Sequence, residues 1–205
     1  MDPKLIFSLW SFRKELKYVL FVFICILLLP LVAVIILTQT GINIISDKLV
    51  TKNETNQTVE LKNPLTGDAI HKVVQPMAWP VSGVVTLEFG VSDLPYQPFH
   101  TGIDIANPQG QIGDPIHPFM AGTVIYAGEI FWGYGKHIII DHGNNITSLY
   151  AHLDKIYVYP QQKVDIGYMI GKEGSTGWST GPHVHFQIDV FGIPVNPRTF
   201  LSGYP

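Results

Sequence analysis

The chain has 205 residues, 46% of them hydrophobic, with a net charge of −3 and a single cysteine, Cys25. This length accommodates one domain of ordinary size plus a further segment, while one cysteine excludes an intrachain disulfide framework and a cysteine-rich zinc site. Residues 1–75 carry 8 Lys/Arg against 6 Asp/Glu and residues 76–205 carry 5 against 10; an acidic main part without a basic stripe argues against nucleic acid as a partner.

Residues 1–17 read as a short cytoplasmic N-terminus, followed by an uncharged run over 18–37 rich in Leu, Ile, Val and Phe. Twenty helical residues at about 1.5 Å each reach about 30 Å, the thickness of a bilayer core. Lys4, Arg13, Lys14 and Lys17 precede the run, and the next charge after it is Asp47. Positive-inside reasoning therefore predicts a single-pass anchor over 18–38, with everything after it outside the cytoplasm. A cleaved signal peptide fits less well, since its apolar region spans only about 7–15 residues before a small-residue site. Residues 39–75 are polar and show no clear period, which predicts a flexible stalk averaging about 35 Å end to end.

From residue 76 the texture changes. Seventeen of the 19 glycines lie here, between short β-rich runs at 84–89, 123–127, 137–141 and 146–153. No amphipathic helix of three turns is legible. Short strands with Gly and Pro punctuation predict an all-β domain over 76–205.

Three runs in this domain carry chemistry. In Phe99-His100-Thr101-Gly102-Ile103-Asp104-Ile105 an extended backbone places His100, Gly102 and Asp104 on one face. In Leu149-Tyr150-Ala151-His152-Leu153 the same alternation places Tyr150 and His152 together, opposite Leu149, Ala151 and Leu153. In the run from Gly181 to Val190, His183, His185, Gln187 and Asp189 alternate strictly with Val184, Phe186, Ile188 and Val190. That pattern predicts a half-buried strand with its polar face on water or a groove. On a helix the two histidines would instead splay about 200° apart.

Imidazole nitrogen and carboxylate oxygen are the donors a catalytic zinc takes, typically with three protein ligands and a water. His100, Asp104 and one of His183 and His185 would complete such a set. Both histidines share a face, so spacing alone leaves the choice between them open. The helical H-E-x-x-H signature with its glutamate base is missing, and the remaining histidines are the candidates for proton handling.

The order HxxxD (His100, Asp104), YAHL (Tyr150 to Leu153) and GPHVHF (Gly181 to Phe186) resembles the lysostaphin-type zinc endopeptidases of the bacterial cell wall, peptidase family M23. The resemblance runs from about Trp79 to Leu201 and takes in the Gly133-Tyr134-Gly135, Asp141-His142-Gly143 and Gly174-Ser175-Thr176-Gly177 turns. It implies a lysostaphin-like antiparallel β-sheet domain with an open groove. It further implies Zn²⁺ on His100, Asp104 and His185, with His152 and His183 catalytic and peptide bonds of peptidoglycan cross-bridges or stem peptides as substrate. One departure from the family pattern is the stretch Val91-Ser92-Asp93-Leu94-Pro95, where relatives often carry an arginine and a longer loop. It bears on substrate preference and groove depth.

The resemblance leaves a second class of function, since some family members have lost ligands and regulate other wall hydrolases. All five positions are intact here. A lipoyl- or biotinyl-type carrier, hinted at by Val164-x-x-Gly167-x-x-Ile170-Gly171, lacks the lysine such a carrier modifies at a hairpin tip.

Overall fold

The computed structural model describes residues 3–53, 58–91, 99–203 and 205; of 3–15, 27, 30–36, 38 and 39 it gives the helical backbone without the side-chain environment. The chain divides into two compact units, Met1–Thr40 and Gly41–Pro205. Helix α1 runs over Pro3–Leu49, and Tyr18, Val19, Phe21, Phe23 and Leu29 are exposed on it. Among the described residues no helix is long and apolar enough to cross a membrane, and a good part of the 18–37 run has no described side chains.

The second unit is built on antiparallel strands, as the punctuation by glycine and proline predicts. Its main sheet has the order β11 (Lys163–Val164), β7 (Gly122–Glu129), β8 (Lys136–Asp141), β9 (Ile146–Ala151), β13 (Val184–Val190), β5 (Ile103–Ala106), β4 (Val84–Leu87), and β14 (Ile193–Val195) pairs with β13. A smaller sheet has the order β10 (Lys155–Ile156), β12 (Gly171–Lys172), β6 (Pro115–Ile116). The core lies on one face of the main sheet, where Ile103, Ile105, Phe119, Ile138, Ile140, Tyr150, Phe186 and Ile188 are fully buried. Phe119 meets Phe186 and Phe200 at ring distances of 5.6 and 6.0 Å, ordinary tilted and edge-to-face aromatic packing.

One polar chain runs into this core. The carbonyl of Ala121 accepts from His142 Nδ1 at 3.0 Å, and His142 Nε2 lies 2.7 Å from Ser148 Oγ. Ser148 Oγ is in turn 2.9 Å from the Tyr150 hydroxyl, which accepts from the Phe119 amide at 2.9 Å. Burial lowers the His142 pKa to about 4 and pushes the Tyr150 phenol up, so both are uncharged at neutral pH. Each polar side-chain atom of this His142–Ser148–Tyr150 network thus has a partner, which is what makes it tolerable in an apolar core. His142 is structural, as its place in the Asp141-His142-Gly143 turn suggests. His137 is likewise occupied locally, its Nδ1 donating to the Gly135 carbonyl at 2.9 Å and its ring stacked on Tyr126.

Residues 50–53 and 58–73, for which the sequence predicts a flexible stalk, form a three-stranded antiparallel sheet instead: β1 (Val50–Asn53), β2 (Thr58–Lys62) and β3 (Ala69–Val73). The reason is visible in β2, where Val59 and Leu61 alternate with Thr58, Glu60 and Lys62 and are fully buried. Leu49, Val50 and Val73 join them in the same apolar cluster as the main-sheet residues. Two apolar residues in a five-residue strand are too few to raise a polar segment above a loop reading, yet they suffice once a core is there to receive them. Ser46 is also tied in, its Oγ accepting from the Asn196 amide at 3.0 Å.

The compact unit therefore starts at Gly41 rather than at residue 76. Removing residues 41–75 strips five buried aliphatic side chains from the cluster, each contributing roughly 1.5–3 kcal/mol. A chain starting at residue 76 is expected to unfold at clearly lower urea concentration than one starting at residue 41. Equal midpoints in side-by-side urea titrations would show that this sheet adds nothing to the core.

Candidate metal centre and groove

Strands β5 and β13 pair with His185 opposite Asp104 and Phe186 opposite Ile103. In an antiparallel ladder directly opposed residues point to the same side. Phe186 and Ile103 therefore enter the core, and His185 and Asp104 emerge together on the other face. His100 sits just before β5. The approach of the two strands depends on Gly102, whose ideal Cβ would lie 2.3 Å from the Phe186 carbonyl oxygen and 2.9 Å from His185 Cε1.

The three side chains converge. His185 Nδ1 is 2.9 Å from Asp104 Oδ1 and 2.9 Å from His100 Nε2, and His100 Nε2 is 3.1 Å from Asp104 Oδ1. One ligand atom from each of His100, Asp104 and His185 falls within 4.8 Å of the others. His100 Nδ1 contacts the Glu88 carbonyl at 3.2 Å; a carbonyl only accepts, so the proton is on Nδ1 and the lone pair of Nε2 faces inward. A bare imidazole nitrogen, a carboxylate oxygen and a second imidazole nitrogen thus crowd one point, with few protons to share among them. Burial raises the Asp104 pKa, but the neighbouring imidazoles of His100 and His185 outweigh it and hold the carboxyl well below the usual carboxylate range. Such a donor set fits a divalent zinc-like cation, two nitrogens and one oxygen with a position left open.

Two more histidines border the same point. His183 Nδ1 donates to the Gly181 carbonyl at 2.8 Å, and His183 Nε2 lies 3.7 Å from Asp104 Oδ2. His152 Nδ1 donates to the Thr176 carbonyl at 2.8 Å. Both rings are thereby turned with Nε2 inward, their centroids 4.7 Å apart. Burial, and secondarily the neighbouring His183, lower the His152 pKa to about 4, so its free nitrogen is an available proton acceptor at neutral pH.

His152 reaches this position against the alternation read from the sequence. Tyr150 pairs with Phe186 and Ala151 with His185. Tyr150 is thus on the core side, fully buried, and does not share a face with His152. Strict period two would send His152 into the core as well. The backbone turns left-handed there instead, with φ +63, and swings the ring into the groove. A non-glycine residue in that region is costly and recurs at functional sites.

The polar face of β13 is also less open than the sequence predicts, since His185 and Gln187 are only 4% and 6% exposed. Tyr134 covers it, its ring stacked over His185 at 5.9 Å, and Thr101 Oγ1 donates to Gln187 Oε1 at 2.6 Å. The sequence assigns no role to Gln187 or Thr176. Only the same-face spacing of Gln187 from His185 hints at one, and a backbone carbonyl such as that of Thr176 leaves no trace in residue type.

A cleft of about 290 Å³ contains the five residues, with Phe99, Tyr134 and Trp178 on its walls. Trp178 stands near Trp132, ring centroids 6.3 Å apart. The divergent stretch after Val91 falls in 92–98, outside the described residues.

The fold and site together define a metallopeptidase-like β-domain, and comparison with known proteins identifies which one. The sequence profile of Peptidase family M23 matches residues 98–197. The catalytic domain of a mutant of the prophage-encoded M23 protein EnpA from Enterococcus faecalis is 32% identical, covering 60% of this chain and 93% of that one, with a TM-score of 0.51. A zinc containing peptidase from Vibrio cholerae is 28% identical, covering 72% of this chain and 47% of that one, with a TM-score of 0.56. The murein hydrolase activator NlpD of Escherichia coli (strain K12) is 42% identical over 123 residues, 60% of this chain and 30% of that protein. The chain belongs to peptidase family M23. It spans between 30% and 39% of the length of curated relatives of this kind.

Proposed function

We propose that the chain is a zinc-dependent endopeptidase that hydrolyses peptide bonds in peptidoglycan cross-bridges or stem peptides. The observation that carries this reading is the convergence of His100, Asp104 and His185 on one point that two further histidines, His152 and His183, also border. His100 through Nε2, His185 through Nδ1 and Asp104 through a carboxylate oxygen would hold the metal. When bound, zinc supplies a Lewis acid and a water of lowered pKa. His152 and His183 both turn Nε2 toward the same space, and that of His152 is unprotonated at neutral pH. They are the groups that accept the proton of an attacking water and afterwards donate a hydrogen bond to the developing oxyanion, a division of labour typical of general acid–base catalysis. The carbonyls of Thr176 and Gly181 keep both rings in that orientation.

The uncharged run over 18–37 and its basic flank support a membrane anchor that places residues 41–205 outside the cytoplasm. A second reading, a non-catalytic regulator of another wall hydrolase, draws on the likeness to the activator NlpD; the complete set of five residues weighs against it.

The deciding experiment incubates the full chain in detergent with purified peptidoglycan and identifies released peptides by mass spectrometry. Cleavage products are expected with zinc present and none after chelation. Wall binding and stimulation of a partner hydrolase without any cleavage would establish the regulatory reading instead.

A further inference from the structure

We propose that Glu173 and Asp114 form a proton-sharing carboxyl pair that clasps the loop 107–114 to the segment supporting His152 and His183, and that loss of the shared proton loosens that support. Glu173 is fully buried, and its Oε2 is the one buried side-chain oxygen or nitrogen among the described residues without a hydrogen-bond partner. The other oxygen, Oε1, accepts from the Asn107 amide at 3.2 Å. Asn107 Nδ2 in turn donates to Asp114 Oδ2 at 2.6 Å, so Asn107 bridges the two carboxyl groups. The Asp114 carboxyl stands within hydrogen-bond reach of that of Glu173. The main chains are tied as well, Gly113 N donating to the Glu173 carbonyl at 3.1 Å and Glu173 N to the Asp114 carbonyl at 2.9 Å.

An ionised carboxylate only accepts, so two of them cannot hydrogen-bond to each other. A buried carboxyl that faces a like charge without a donor takes up a proton instead. A proton on Oε2 turns the orphaned acceptor into a donor toward Asp114 and satisfies both groups at once. Nothing else nearby does so: no lysine, arginine or histidine among the described residues donates to Oε2. β6, on one side of β12, carries no titratable side chain, and β10, on the other, sets Lys155 opposite Lys172 rather than Glu173. A hard cation takes about 6–8 oxygens, whereas Asn107 turns its amide nitrogen toward Asp114 and its oxygen toward the Gln109 amide. Burial first, and then the Asp114 carboxylate, push the Glu173 pKa up to about 7, against the Asn107 amide that lowers it.

The clasp bears on the groove because Glu173 directly precedes the Gly174-Ser175-Thr176-Gly177 turn. The Gly174 carbonyl accepts from the His183 amide at 3.0 Å, and His152 Nδ1 donates to the Thr176 carbonyl at 2.8 Å. The turn has no slack, since an ideal Cβ on Gly174 would lie 2.3 Å from the Asp154 amide nitrogen and 2.7 Å from the His152 carbonyl oxygen. With Glu173 ionised, two like charges face each other in a buried site, and relief moves the loop or Glu173 itself, one residue from those contacts. The folded-state pKa lies above the ordinary value of 4.5, so the stability the clasp contributes is complete below 4.5 and is lost as pH rises through about 7. The consequence for hydrolysis rests on the reading of His152 and His183 as its proton-handling groups; the clasp itself does not.

The test titrates the full chain in detergent, labelled with ¹³C-glutamate and ¹⁵N. The Glu173 carboxyl carbon is expected to titrate with a midpoint near 7, and the Gly174 and Thr176 amide resonances should shift with the same midpoint. Asp114→Asn replaces the facing charge by a neutral amide donor and should bring the Glu173 midpoint down toward 4.5. Glu173→Gln keeps a donor toward Asp114 without a titrating proton. Its melting temperature should match wild type at about pH 5 and exceed it above about pH 8, and the steps at Gly174 and Thr176 should vanish. A wild-type Glu173 midpoint below about 5, or one unchanged in Asp114→Asn, overturns the proposal. So does a wild type that melts above Glu173→Gln at about pH 8. Stabilisation by Ca²⁺ in wild type but not in Glu173→Gln would overturn it too, because the pair would then hold a cation. None of these readouts depends on hydrolysis, so a chain that cuts no peptidoglycan refutes the endopeptidase reading and still decides whether the clasp exists.

Discussion

His185→Ala is expected to lose its metal and its activity together, while His183→Ala keeps the metal and loses activity alone. Removing His185 leaves His100 and Asp104 as a two-ligand set, and catalytic zinc is ordinarily held by three protein ligands. It also removes the ring whose Nδ1 approaches both remaining ligands at 2.9 Å. His183 stands differently. Its Nε2 is 3.7 Å from Asp104 Oδ2, near enough to act on a group bound at the metal yet outside the cluster of ligand atoms. Losing one proton-handling or oxyanion-binding group typically costs about 10²–10⁴-fold in rate. His152→Ala should behave like His183→Ala, because its ring borders the same space 4.7 Å from that of His183. Since both act on one transition state, the double variant should fall far short of the product of the two losses. Metal analysis and kinetics on each purified variant provide the check. Zinc lost from His183→Ala and retained by His185→Ala would reverse the two roles.

The parts of this site that follow from local pattern were legible in the sequence, and the parts that follow from main-chain geometry were not. Alternation in the run ending at Val190 separates His185 from Phe186, and the structure places one in the groove and the other in the core. HxxxD places His100 and Asp104 together, since their spacing of four residues is even on an extended backbone. Alternation fails at His152, where one left-handed residue overrides it; histidine gives no warning of this, as glycine would have done. The stalk reading fails at residues 50–53 and 58–73 for a different reason: their few apolar residues do alternate in β2, and they join a core contributed by the later strands. The partners of the inward-facing histidines, the carbonyls of Glu88, Thr176 and Gly181, are invisible to any reading of side chains. Residue identity thus named the donors, and the backbone decided how they point.

Gly102→Ala is expected to damage the metal centre without touching any of its ligands. Residue 102 lies between His100 and Asp104 where β5 runs against β13. An added Cβ would meet the Phe186 carbonyl oxygen at 2.3 Å, the carbonyl carbon at 2.9 Å and His185 Cε1 at 2.9 Å. Contacts this short are not sustained by real side chains. Two of the three atoms are backbone, so relief cannot come from a rotamer change and the strands must move apart. That movement strains the ladder at His185–Asp104 and Phe186–Ile103, the register that holds two of the ligands side by side. Overpacking a close-fitting site ordinarily costs about 1–3 kcal/mol, and the same displacement pulls Asp104 and His185 off their common point. The expected result is a lower melting temperature in the metal-free protein together with weakened zinc binding. The comparison is Gly110→Ala, at a glycine whose added Cβ meets nothing within 4 Å although its φ of +66 carries its own strain. That variant should lose some stability and keep its zinc affinity. Equal zinc affinity in Gly102→Ala and wild type would mean that β5 and β13 accommodate the methyl group without moving the ligands, and that their close approach is not what sets the site.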